Sequence, residues 1–168
     1  MQASPHLIKT SRNRYFCRGL VLIVLVGLGS FLLAHIAYIF SYRQLRSNAP
    51  PPDVAGVQKA RLSFPVILTG TGLVIMLYPG LGDLKLPVTI YAIVLTTMVL
   101  ASISRYGRTS AKSFWLVFCG SALFMLSDAM LAIDRFLNPI ALAGLKVMIT
   151  YCVAQFLIVQ GIIASKDK

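Results

Sequence analysis

Five apolar runs, each near the length needed to cross a bilayer and separated by short polar segments, restrict this chain more than any other feature. They cover about residues 19–42, 62–78, 86–104, 114–133 and 140–164. A helix needs about 20 such residues to cross ~30 Å of hydrocarbon. Period-two alternation is absent, which argues against strands. The first run is too long for the core of a signal peptide, and no A-x-A-like cleavage site follows it. The expected fold is all-α, a polytopic transmembrane helical bundle of five spans. Residues 1–18 make a basic N-terminal segment with Lys9, Arg12, Arg14 and Arg18, residues 19–164 the transmembrane domain, and 165–168 a C-terminal tail. Pro50-Pro51-Pro52, the Pro79-Gly-Leu-Gly-Asp83 turn and Asn138-Pro139 break the connections, while Pro65 falls in the first turn of its run, where proline is tolerated.

Charge agrees with lipid as the solvent. Only 12% of residues are charged, about half the share of a soluble domain. All five acidic residues are aspartates, and with 16 Lys and Arg the net charge is +11. The basic residues bracket the apolar runs instead of forming one face, so they read as membrane flanks and not as a nucleic-acid surface. Loops 43–61 and 105–112 with the C-terminal tail carry nine Lys and Arg; the N-terminus, the 79–85 turn and the 134–139 loop carry six. That balance favours a cytoplasmic C-terminus, although the basic N-terminus votes the other way. Short loops favour a bacterial inner membrane. Cys17, Cys119 and Cys152 are far apart and lack histidines at ligand spacing. Neither a disulfide framework, a metal site nor a cofactor is expected.

The polar residues inside the runs carry the functional signal. Asp128 lies within an apolar run with no opposite charge beside it, and a carboxylate at bilayer depth costs about 2.5–3.5 kcal/mol on insertion scales. His35, Tyr38 and Tyr42 share one helix face by their i, i+3, i+7 spacing. Ser121, Met125, Asp128 and Ala132 share another, with Ser127 adjacent, and Tyr151 and Gln155 are i, i+4 neighbours. Such groups turn inward because lipid offers no hydrogen-bond partner. A shared interior cavity and a static network that glues helices together both satisfy this spacing. Lys146 falls within the fifth run and is read as snorkelling to the 134–139 loop; Asp134 and Arg135 are expected to pair at the interface. Trp115 and Tyr106 suit an aromatic belt.

Several of these stretches resemble one known family. They are Phe31-Leu-Leu-Ala-His35-Ile-Ala-Tyr38-Ile; Leu86-Pro-Val-Thr-Ile-Tyr91-Ala-Ile-Val with Met98; Gly120-Ser-Ala-Leu-Phe-Met-Leu-Ser127-Asp128-Ala-Met-Leu-Ala; and Tyr151-Cys-Val-Ala-Gln155. In this order they resemble the YhhN-like, or lysoplasmalogenase, family of membrane enzymes. The resemblance implies a bundle of about eight spans, of which these would be the last five. It also implies cleavage of the vinyl-ether bond of lysoplasmalogens to a fatty aldehyde and a glycerophospho-alcohol. Asp128 would be the catalytic carboxylate, with His35, Tyr38, Tyr91, Ser127, Tyr151 and Gln155 lining the site and a membrane lysophospholipid as substrate. The family pattern also has a second buried acid, in a Gly-Asp motif on the span before the His-x-x-Tyr helix. Here residues 1–18 hold that place, and Gly82-Asp83 lies in a loop. The expectation is a shortened or mis-started form of the family's chain, or a divergent member with altered chemistry.

Vinyl-ether hydrolysis needs a proton delivered to carbon and a second group that stabilises the cation and activates water. Asp128 suits one task. Asp134 is six residues along, about 9 Å by helical rise and most of a turn away in phase, so it suits the other poorly. A bundle that binds lysolipid or a partner protein without catalysis is the alternative. A solute transporter is disfavoured, since neither internal repeats nor broken midplane helices are evident.

Overall fold

The computed structural model describes residues 5–45 and 55–165, with side chains for 25–45 and 56–165. Arg46, Pro50-Pro51-Pro52, Lys166 and Lys168 lie outside the described residues, as do the side chains of Lys9, Arg12, Arg14, Arg18 and Cys17. Among the described residues five α-helices make the fold: α1 (Pro5–Gln44), α2 (Ala55–Leu77), α3 (Lys85–Ile103), α4 (Ala111–Phe136) and α5 (Ala143–Ile163). Two single 3₁₀ turns, Tyr78–Gly80 and Gly82–Leu84, join α2 to α3. All five helices are long and apolar enough to span a membrane. The chain is a multi-pass membrane protein.

The surface is that of a protein solvated by lipid. Leu33, Phe64, Leu86 and Phe156 are each more than 60% exposed, whereas His35, Ser102, Arg105, Ser113, Ser121 and Ser127 are buried. Lipid is as apolar as leucine, so burying leucine gives helices little reason to associate, and close packing with interhelical hydrogen bonds does the work. The α4–α5 pair packs most closely. A Cβ on Gly120 would meet Ala154 O and Ile158 N at 2.9 Å, and one on Gly161 would meet Val117 N at 2.9 Å. The two glycines let the backbones touch. Ser127 Oγ donates to Val147 O at 3.0 Å and Ser113 Oγ to Gly161 O at 2.6 Å, tying the same pair near both ends.

Several helix ends differ from the limits of the apolar runs. Helix α1 begins at Pro5, well before residue 19, and α2 begins at Ala55, before residue 62. Backbone hydrogen bonding continues through polar residues, whereas hydropathy marks only the stretch lipid must solvate. Pro65 is therefore inside α2 and not in its first turn. The carbonyl it leaves unpaired is that of exposed Arg61, near the polar end of the span. Lys146 is exposed in the first turn of α5, at the helix end and not within the span's interior. Asp134 does not serve Arg135: its Oδ1 accepts the Ile140 backbone N–H at 2.8 Å and closes the α4–α5 connection.

Candidate functional site

Helices α1, α3, α4 and α5 bring their polar residues to one interior band. Tyr91 on α3 donates its hydroxyl to Asp128 Oδ2 on α4, a pairing across 37 positions. A phenol is a fitting partner at this depth, because it supplies a hydrogen bond without adding a second charge. His35 on α1 is fully buried. Its ring meets Tyr91 edge-on at 5.4 Å between centroids and Phe124 at 4.8 Å. His35 Nδ1 bonds Phe31 O, one turn back on its own helix. A carbonyl can only accept, so a proton sits on Nδ1, and in the neutral form of the ring Nε2 presents a lone pair. That Nε2 is buried and has no hydrogen-bond partner among the described residues.

Aromatic rings wall the band. Tyr151 on α5 meets Phe124 at 5.4 Å and Phe31 at 6.0 Å, both edge-on. One layer along, Tyr38 donates its hydroxyl to Gln155 Oε1 and stacks on Tyr42 at 6.1 Å. Tyr42 and Ser121 share a hydrogen bond of 3.1 Å, joining α1 to α4. Among the described residues, no three His, Cys, Asp or Glu side chains gather where they could hold a metal ion.

Six of the seven expected site residues thus meet in one connected cluster: Asp128, Tyr91, His35, Tyr151, Tyr38 and Gln155. Ser127 turns instead to the α5 backbone. It is adjacent to Asp128 in sequence, hence about 100° away around the helix.

The order of these stretches along the chain now has a family to answer to, and the sequence profile of the YhhN family matches residues 20–162. The chain belongs to the YhhN family. Among its relatives, the lysoplasmalogenase of Mycobacterium bovis is 28% identical over 145 residues, covering 84% of this chain and 51% of that protein. Human lysoplasmalogenase TMEM86B is 29% identical over 139 residues, 83% of this chain and 54% of its own. The pig TMEM86B is 31% identical over 132 residues, 79% and 50% respectively. The chain spans about half the length of the curated relatives it matches. No solved structure gives a significant match.

Two features of this YhhN chain escaped the sequence. Phe124 forms the wall against His35, and its i, i+4 spacing to Asp128 was the available signal. Arg105 lay in a basic loop, yet it is fully buried against the Tyr42 ring; no sequence pattern distinguishes it from its neighbours. Burial lowers its pKa from the ordinary value, while the Tyr42 hydroxyl acts in the opposite sense. Tyr42 joins this end of the bundle to the site. Tyr42→Phe leaves Ser121 without its partner and is expected to cost about 0.5–1.5 kcal/mol, read from thermal unfolding in detergent.

Proposed function

We propose that this chain acts as a lysoplasmalogenase-type membrane hydrolase, converting a lysoplasmalogen and water into a fatty aldehyde and a glycerophospho-alcohol. The observation that carries the reading is the Asp128 carboxyl, held by Tyr91, whose ring meets that of buried His35 with its unpartnered Nε2. Similarity to proteins named lysoplasmalogenase over most of this chain supports it.

The chemistry follows from the atoms that remain available. Tyr91 occupies Asp128 Oδ2, leaving Oδ1 of the protonated carboxyl to deliver its proton to the outer carbon of the vinyl ether. The inner carbon then becomes an oxocarbenium ion. Water adds to that carbon and gives a proton to His35 Nε2, forming a hemiacetal. As the carbon–oxygen bond to glycerol breaks, the imidazolium returns its proton to the departing oxygen. The hemiacetal hydroxyl proton goes back to Asp128, and the site is restored. His35 thus takes the water-activating role that a second carboxylate would otherwise fill. Asp128 is eight residues before the end of α4 at Phe136, about 12 Å by helical rise. A lysolipid entering from that end keeps its head group near exposed Lys85, Arg135 and Lys146 while its ether reaches Asp128.

The test is aldehyde release from a vinyl-ether lysolipid in mixed micelles with purified, monodisperse protein. Release is expected; its absence from folded protein would sink the hydrolase reading. His35→Ala is expected to slow release by about a hundredfold, with lysolipid binding retained because Tyr91 and Asp128 still pair. An unchanged rate would remove His35 from the chemistry.

One observation favours a second reading, lysolipid or partner binding without hydrolysis. Asp128 is the only acidic residue inside the five apolar runs, where hydrolysis by a carboxylate pair needs two. That reading expects lysolipid binding without aldehyde release.

A further inference from the structure

The end of the bundle far from the Asp128 head-group approach holds a second unusual group. Arg105 follows the last residue of α3 by two positions and is fully buried. Its Nη2 donates to Ser113 Oγ at 2.9 Å. The Ser113 hydroxyl proton is committed to Gly161 O, so the serine can only accept from the guanidinium. The Tyr42 ring lies 5.6 Å from the guanidinium carbon. Among the described residues, Arg105 Nε and Nη1 have no hydrogen-bond partner, and neither does the buried Nε of nearby Arg108. Two guanidinium groups therefore hold three buried donor nitrogens without acceptors among the described residues. Native proteins rarely leave such donors unfilled, least of all on a cation.

We propose that Arg105 and Arg108 form a binding site for a phosphate group, supplied by an anionic phospholipid of the leaflet that this end contacts. Chemistry, depth and surroundings each support it. A guanidinium fork offers parallel N–H groups that match phosphate oxygens, and donor nitrogens on two side chains, three positions apart in a turn closed by the Arg108 N–H to Arg105 O bond of 2.9 Å, give an anion more than one point of attachment. The candidate spans end at Ile103 and resume at Ala111, which puts both arginines at the level of lipid head groups. Exposed Arg43 and Lys112 lie at the same end of the bundle and draw anions toward it.

The site is separate from that of the substrate. Asp128 lies 15 residues beyond Ser113 on α4, about 22 Å by helical rise. In a lysoplasmalogen only a three-carbon glycerol bridge separates the ether oxygen from the phosphate. One lipid cannot place its ether at Asp128 and its phosphate at Arg105. The ligand is a second molecule, and through the Arg105–Tyr42–Ser121 contacts it would brace α1 against α4. This inference does not rest on the hydrolase reading, because its readout is lipid retention and not aldehyde.

The experiment compares the purified full chain in vesicles of phosphatidylcholine alone and of phosphatidylcholine with phosphatidylglycerol. A parallel arm adds inorganic phosphate to the protein in detergent. Retained lipid is read by native mass spectrometry and stability by thermal unfolding. Wild type is expected to retain phosphatidylglycerol about tenfold over phosphatidylcholine and to unfold at a higher temperature with it. Arg108→Gln, at a half-buried position, is expected to keep the fold and lose most of both effects; Arg105→Gln is expected to lose both. A rise with inorganic phosphate alone, lost in Arg108→Gln, would support the anion site while overturning a lipid as its source. Equal retention of the two lipids by wild type, or an unchanged preference in Arg108→Gln, would overturn the proposal. Asp167→Asn is the control for the chain's own tail: unchanged lipid preference is expected, and a marked gain would identify Asp167 as the true occupant.

Discussion

Asp128→Asn is expected to lower aldehyde release by about 10²–10⁴-fold, the usual contribution of a positioned general acid. Asparagine has nearly the shape of aspartic acid, and its side-chain oxygen still accepts the hydrogen bond that Tyr91 gives Asp128. The change therefore removes the transferable proton and leaves the α3–α4 contact. In lipid the substitution also removes a group that costs energy when charged, so thermal stability is expected to hold or rise. The combination is diagnostic. A dead enzyme with intact stability and intact lysolipid binding assigns Asp128 to the proton-transfer step. Equal loss of activity and stability would make it a structural residue. If wild type binds lysolipid without releasing aldehyde, and Asp128→Asn binds equally well, the non-catalytic reading replaces the hydrolase.

Gly120→Leu is the second large effect, and it acts through packing. A Cβ at Gly120 would lie 2.9 Å from both Ala154 O and Ile158 N, and 2.8 Å from Ile158 Cγ1. Side chains can rotate away, but the two backbone atoms cannot, so α4 and α5 must separate. Overpacking of this kind costs about 1–3 kcal/mol, and sometimes more. Separation also carries Tyr151 and Gln155 away from Phe124 and Tyr38, so activity is expected to fall with stability. The control is Gly72→Leu on α2, where an added Cβ meets nothing within 4 Å and leucine is the better helix former. Thermal unfolding in detergent is expected to fall clearly for the first variant and to hold or rise for the second. Matching curves would remove the α4–α5 glycine contact from the account of stability.

The five helices were legible because water and lipid impose opposite demands. An apolar run of bilayer length has few alternatives, and a helix is the form that satisfies its own backbone there. The polar interior that forms the candidate site was legible for a related reason. Asp128, His35 and Gln155 are costly in lipid, so their presence signals an interior, and helical spacing identifies which of them share a face. The same logic failed where cost is low or position ambiguous. Arg105 sits among basic loop residues that look alike in sequence, and Phe124 looks like any other apolar residue in its run. Pro65 was misplaced because hydropathy does not register the polar first turns of α2.

By itself, the sequence determined the number of helices, the medium around them and the residues that had to face inward, because each follows from the local cost of transferring a group into hydrocarbon. The tertiary structure alone decided the partners. It gave Asp128 to Tyr91, Tyr38 to Gln155, Ser127 to the Val147 carbonyl and Asp134 to the Ile140 N–H. Those pairings depend on how helices rotate and approach. In a bilayer that is fixed by a few close backbone contacts such as Gly120 against Ala154, which hydropathy does not encode.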